Sequence, residues 1–261
     1  MKIIRTFIKI AIASLFCIIT MTSCSELSLS ETELKFPAGF FETKSFVVKT
    51  DLNWDIVEQP DWVKTDKIEE NGRTIVEVMP KVNNSFDSRK GEIKIQTSEK
   101  YYIVDLIQDG VHLNNESGDL GLSVEWNTCN LGATKSTDFG NYYRWDDIHS
   151  YPSNGYRLPT NDEQVELRDN SVWVWGENNG VMGTYFVAKN GNYVFLPAAG
   201  YRDGTDVSSG SVGSYGFYWS SSASDGYDAN GLFFSSNYVA AYYDYDRCYG
   251  RSVRLVQEVE E

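Results

Sequence analysis

Between Leu27 and about Gly110, apolar and polar positions alternate in short runs: "SFVVKT", "NWDIVEQ", "TIVEVMP", "GEIKIQT" and "YYIVDLIQDG". Turn-forming stretches such as "ENGRT" and "SEK" separate them. A period of two is the signature of half-buried strands, and this many of them predicts a β-sandwich. Trp54 and Trp62 fall inside this pattern and are read as core packers rather than exposed sugar platforms, because large aromatics dominate core burial. The pattern stops at "VHLNNESG", residues 111–118, a polar linker. It resumes at Asp119 with a strand in "GLSVEWNTCNLGA", one helix start and a series of aromatic-rich strands up to about Gln257. The helix start is "GYRLPTNDEQVEL": Thr160 as N-cap and Glu163 three residues on form a capping box, with Pro159 holding the approach extended. Many short strands with one marked helix predict an α+β second unit in a mainly β chain.

The first 24 residues follow a different rule. "MKIIRTFIKIAIASLFCIITMTSC" has a basic start, an apolar run and then Met21-Thr22-Ser23-Cys24. It resembles a bacterial lipoprotein signal, which implies lipidation at Cys24 and attachment to a membrane through acyl chains. The expected address is the outer membrane, with the protein exposed at the cell surface. The leader carries Lys2, Arg5 and Lys9 and no acid, so the remainder is more negative still than the −14 of the whole chain. Such an acidic surface is repelled by phosphate backbones, which argues against nucleic acid as a partner.

Two family resemblances follow from the quoted runs. "NWDIVEQPDWV", "RKGEIKIQT" and "YYIVDLIQDG" are similar to the BACON domain, an immunoglobulin-like module of bacterial surface proteins. In residues 119–257, "WNTCNLGA", "GYRLPT", "FLPAAGYR", "YWSSS" and "GRSVRLV" resemble the Fibrobacter succinogenes major paralogous domain. That domain shares a C-type-lectin-like scaffold with formylglycine-generating enzymes. One departure is Gln164, where the family carries Trp or another large apolar residue. The implied organisation is a signal peptide over 1–24, an Ig-like sandwich over 25–110 serving as a stalk, the linker 111–118 and a C-type-lectin-like head over 119–257.

Catalysis is not expected. The related enzymes need a late cysteine pair or a histidine cluster. Beyond the leader this chain has only Cys129 and Cys248, one at each end of the head, and its two histidines are His112 and His149. Whether the two cysteines pair in an oxidising setting stays open. The aspartate pairs Asp203/Asp206, Asp225/Asp228 and Asp244/Asp246 read as solubilising acids, short of the six or more oxygens that calcium needs. No cofactor or metal is expected.

The candidate binding surface is "SSNYVAAYYDYDRCYG", residues 235–250. Tyrosines among small and acidic residues give rigid contact area at low entropic cost. The stretch resembles the variable segment of C-type-lectin-like proteins diversified by reverse transcription, in which Cys248 would be a chance product. Strand alternation sends Tyr243, Tyr245 and Arg247 one way, and Tyr242, Asp244, Asp246 and Cys248 the other. Tyr238 and Tyr249 complete the expected face, with Tyr218 and Trp219 as neighbours. The expected partner is a glycan or another surface macromolecule. The rival readings are a fimbrial or other surface-assembly component, and an enzyme of the formylglycine-generating type.

Overall fold

The computed structural model describes residues 26–39, 42–151, 154–204, 206–207 and 211–259. Cys24 and the leader lie outside the described residues. The chain is mainly β, built of several antiparallel sheets.

The first half contributes β1 (Ser28–Leu29), β2 (Glu33–Phe36), β3 (Lys44–Lys49), β4 (Trp54–Glu58), β5 (Val63–Glu70), β6 (Arg73–Pro80), β7 (Arg89–Thr97) and β8 (Tyr101–Gln108). They form two four-stranded sheets, in the orders β1-β3-β6-β5 and β2-β8-β7-β4. All contacts are antiparallel except β2 on β8. Alternation in β6 buries Val76 and Val78, and alternation in β7 buries Ile93 and Ile95; the two sets meet in one core with Phe36, Phe46, Val104 and Leu106. Trp54 and Trp62 pack against that core half-buried, with Lys67 Nζ 4.2 Å above the first ring and the Arg89 guanidinium 4.6 Å above the second.

The second half adds β9 (Val124–Trp126), α1 (Trp145–Ile148), β10 (Tyr156–Arg157), α2 (Asn161–Asp169), β11 (Val172–Asn178), β12 (Val181–Val187) and β13 (Tyr193–Pro197). It continues with β14 (Arg202–Asp203), β15 (Asp206–Val207), β16 (Gly216–Ala223), β17 (Asp228–Ser235), β18 (Tyr238–Asp246) and β19 (Val256–Glu258). The sheets are β10-β19-β9, β11-β12-β13, β14-β15 and β16-β17-β18.

The helix begins where the sequence places it. Thr160 Oγ1 accepts from the Glu163 N–H, and a Glu163 carboxylate oxygen accepts from the Thr160 N–H at 2.8 Å. Arg157 clamps the same carboxylate through two N–H groups at 2.7 and 2.8 Å and also donates to Glu258 on β19. Gln164 is fully buried. In place of apolar packing its Nε2 donates to the carbonyls of Tyr218 (3.3 Å) and Trp219 (3.1 Å), tying α2 to β16.

Residues 111–118 do more than connect. Val111 is buried, Asn114 N–H donates to Gly191, and Glu116 forms a parallel bridge to Tyr193, so the stretch lies along β13. Ala38 and Val111 share a small core with Val172, Tyr185 and Phe195, and Phe86 meets Tyr185 edge-on at 5.4 Å.

Candidate functional site

The sheet β16-β17-β18 is buried on one face and partly open on the other. Alternation sends Tyr218, Leu232, Phe234, Val239 and Ala241 into the main core of the second half. Phe217, Trp219, Phe233 and Tyr245 point the opposite way, where α1 and the segment at Val253 and Leu255 cover only part of the sheet.

A break in the ladder assembles the open part. Gly231 pairs with Tyr243 but Phe233 pairs with Ala240, so two residues of β18 oppose one of β17. The extra residue is Tyr242, with φ of 62°, a conformation that bulky side chains rarely adopt. Its N–H donates to Asn161 Oδ1 at 3.1 Å and its hydroxyl to Asp162, so the strained residue is held by the start of α2. The bulge changes the parity of the strand. Tyr238 before it and Tyr243 after it therefore reach the same Phe233 ring, at 6.1 and 5.3 Å between centroids.

Tyr215 stacks on Phe233 at 5.8 Å, and Phe217 tilts against it at 5.3 Å. Tyr201 stands edge-on to Phe217 at 5.6 Å and to Tyr249 at 5.5 Å. These spacings are those of favourable ring pairs, so the rings hold one another in place. Tyr215, Tyr238 and Tyr243 remain 40%, 53% and 46% exposed. The result is a platform of rings without a deep cavity. An open cleft of about 600 Å³ lies elsewhere, between β2, β4, β7 and β8, lined by Glu33, Glu58, Lys90 and Glu92 among others.

Several sequence-predicted site residues are placed otherwise. Tyr218 is 1% exposed on the inner face; its hydroxyl donates to the Pro197 carbonyl at 2.8 Å, and burial raises its pKa. Trp219 is fully buried because α1 and Val253 cover its end of the sheet, and its indole N–H donates to Tyr143 O at 2.8 Å. Tyr245 is on the expected face but lies beneath Tyr243 and Arg251, 6% exposed, its hydroxyl without a partner among the described residues and its pKa raised by burial. These three are corrected from ligand contacts to supports of the platform.

Arg247 is corrected as well. It stacks on Trp145 at 4.2 Å and donates to the backbone carbonyls of Asp225 and Asp228, stapling the end of β18 to the turn before β17. Tyr242 is exposed but leans on α2, away from the platform. Asp244 and Asp246 are exposed, and Asp246 accepts the Cys248 N–H at 2.8 Å, which fixes the following turn. Tyr249 is half-buried beside Tyr201. Of the expected face, Tyr238, Tyr243 and Tyr249 belong to the platform. Tyr201, Tyr215, Phe217 and Phe233 were missed, although the odd-numbered alternation of Tyr215 and Phe217 was a usable signal.

Under the Tyr201–Tyr249 end lies Arg251, 5% exposed. Its guanidinium sits 3.7 Å from the Tyr245 centroid, 5.0 Å from Phe217 and Trp219, 5.7 Å from Tyr201 and 5.9 Å from Tyr249. Desolvation pushes its pKa down to about 10. Elsewhere, Cys129 and Cys248 remain free thiols. His149 stacks on Trp145 at 4.2 Å, its Nδ1 3.2 Å from the Trp145 carbonyl. Among the described residues no cluster of three or more His, Cys, Asp or Glu is placed to hold a metal.

A family described as "Domain of unknown function (DUF8237)" matches residues 177–256, which include β16, β17 and β18. The search for related curated proteins gave no match. A Bacteroides ovatus GH5 xyloglucanase in complex with a XXXG heptasaccharide is 16% identical over 38% of this chain, with a TM-score of 0.30. The chain spans 23% of that enzyme's length. The GspB Siglec domain is 9% identical over 66% of this chain and 94% of its own, with a TM-score of 0.29. The sialic acid binding region of the Streptococcus sanguinis SK1 adhesin, bound to 3'sLn, is 9% identical over 82% of this chain and 56% of its own, also at 0.29.

Proposed function

We propose that the chain is an exported, lipid-tethered surface protein whose second half binds a glycan noncovalently on the aromatic platform of β16-β17-β18. The observation that carries this reading is the run of mutually braced rings ending in the exposed Tyr215, Tyr238 and Tyr243. A contiguous, half-exposed aromatic surface marks an interaction site, and flat rings with hydroxyl tips suit the C–H faces and hydroxyls of sugars. The BACON and Fibrobacter-type resemblances and the leader ending at Cys24 support a surface setting.

The test is binding of the full chain to an array of immobilised glycans, alongside the double variant Tyr238→Ala/Tyr243→Ala. At least one glycan is expected to bind, and the variant is expected to lose about tenfold or more in affinity at unchanged melting temperature. Absence of glycan binding, with concentration-dependent self-association in sedimentation, would replace this reading by that of an assembly component.

A further inference from the structure

Arg251 and Arg254 lie three residues apart and are both buried, yet the fold treats them differently. Arg254 has an acceptor at every nitrogen. Its Nε donates to Asn130 Oδ1 at 2.9 Å, Nη1 to the carbonyls of Asn127 and Thr128 at 3.0 Å each, and Nη2 to Phe195 O at 2.9 Å. Arg251 has no acceptor at Nε or Nη1, and no carboxylate within ion-pair distance among the described residues. The surrounding rings attract its charge through their faces. Ring faces answer the charge of a guanidinium but give its N–H fork no oxygen acceptor, and that fork matches a carboxylate.

Resting on the glycan reading above, we infer that Arg251 is the charge-reading group of the platform and that the ligand is a sugar acid, whose carboxylate meets the guanidinium while the glycan stacks on the rings. Whichever edge of the fork the carboxylate takes, one of the two unanswered nitrogens gains an acceptor. The approach runs between Tyr201 and Tyr249, the half-buried rings nearest the surface at this end. Tyr249 sits in the turn after β18, outside any strand, so turning its ring aside would break no sheet hydrogen bond. Asp203 and Asp246 lie close enough to raise the Tyr249 pKa, so the approach is acidic. That selects a ligand with a single carboxylate over a polyanion.

The experiment compares galacturonate and sialyllactose, each a single carboxylate and each with its own methyl ester, binding to the full chain by titration calorimetry. At least one acid is expected to bind about tenfold or more tighter than its ester. Arg251→Met is expected to bring that acid down to the level of the ester and leave the ester unchanged. Equal binding of acid and ester, or binding of neutral glycans only, overturns the inference while the platform reading stands. If no glycan binds at all, the platform reading has failed first. The ester comparison uses the unsubstituted chain, so it decides the matter even if Arg251→Met does not fold.

Discussion

Arg251 and Arg254 are both buried, but their hydrogen-bonding differs. A guanidinium with an acceptor at every nitrogen, as in Arg254, is part of the fold. Losing Arg254 would orphan Asn130 Oδ1 and three carbonyls, so Arg254→Met is expected to cost about 3 kcal/mol or more in denaturant unfolding. Arg251 is in the opposite situation: it carries a desolvation cost, seen in its lowered pKa, with no acceptor at Nε or Nη1 among the described residues to offset it. Replacing an uncompensated buried charge by an apolar side chain of similar length is often neutral or stabilising. Arg251→Met is therefore expected to leave the midpoint unchanged or raise it, and a large drop would mean that ring contacts alone justify the residue. Glu163 gives a prediction of different sign. Burial raises its pKa, but the Arg157 clamp and the Thr160 N–H outweigh that and hold it below the ordinary glutamate range. Its contribution is complete above the unfolded value near 4.5 and fades as pH falls through the lower folded value. Glu163→Gln should thus destabilise the protein near neutrality, by about 1–2 kcal/mol, and the gap to the parent should close in urea melts taken at progressively lower pH.

At the scale of elements, the single extra residue in β18 decides which tyrosines meet. Without it, Tyr238 and Tyr243 would lie on opposite faces, because successive strand residues alternate. Tyr242 carries the positive φ, so substitutions there sort by backbone rather than by ring. Tyr242→Val is expected to destabilise by about 1–2 kcal/mol, since a β-branched residue resists that conformation. Tyr242→Gly relieves the strain but gives up the hydroxyl contact to Asp162, and is expected to stay within about 1 kcal/mol of the parent. Glycan binding should persist in the glycine variant and fall in the valine variant. A bulge of this kind is not legible in "NYVAAYYDYD", because no glycine marks it; the anchors that hold it are Asn161 and Asp162, distant in sequence. Local signals were legible where the chemistry is local: the period-two strands of the first half, and the Thr160–Glu163 box. The alternation placing Tyr243 with Tyr245 was also right, as far as the bulge. What failed was exposure. Trp219 is buried by α1 and Tyr245 by Arg251, and both covers come from other parts of the chain.

For the whole molecule, the question is how a strongly acidic chain would take an acidic ligand. The formal charge of −14 repels an incoming sugar acid over tens of ångströms at low salt, and that repulsion is screened within about 10 Å at 0.1 M salt. The attraction assigned to Arg251 acts at contact, in a site walled by rings, where mobile ions hardly intervene. The two effects respond oppositely to salt. A site made of exposed lysines and arginines would lose affinity as salt rises. Here the affinity for a monocarboxylate sugar is expected to hold or increase from about 20 to 200 mM salt, while the neutral ester shows little change. Calorimetric titrations of both ligands across that range check it, and a steep loss of the acid's affinity would point to surface cations instead of Arg251. The join between the halves bears on the same measurement. A Cβ on Gly39 would lie 2.0 Å from Val172 Cγ2, so the sandwich meets the second half at close packing. Gly39→Val is expected to disturb that join and lower thermal stability, yet leave the salt response intact, since the rings packed on one another in the platform and on the Arg251 guanidinium all come from residues after 200. Separating the two responses in one variant would show that recognition is a property of the second half, with the sandwich as its support.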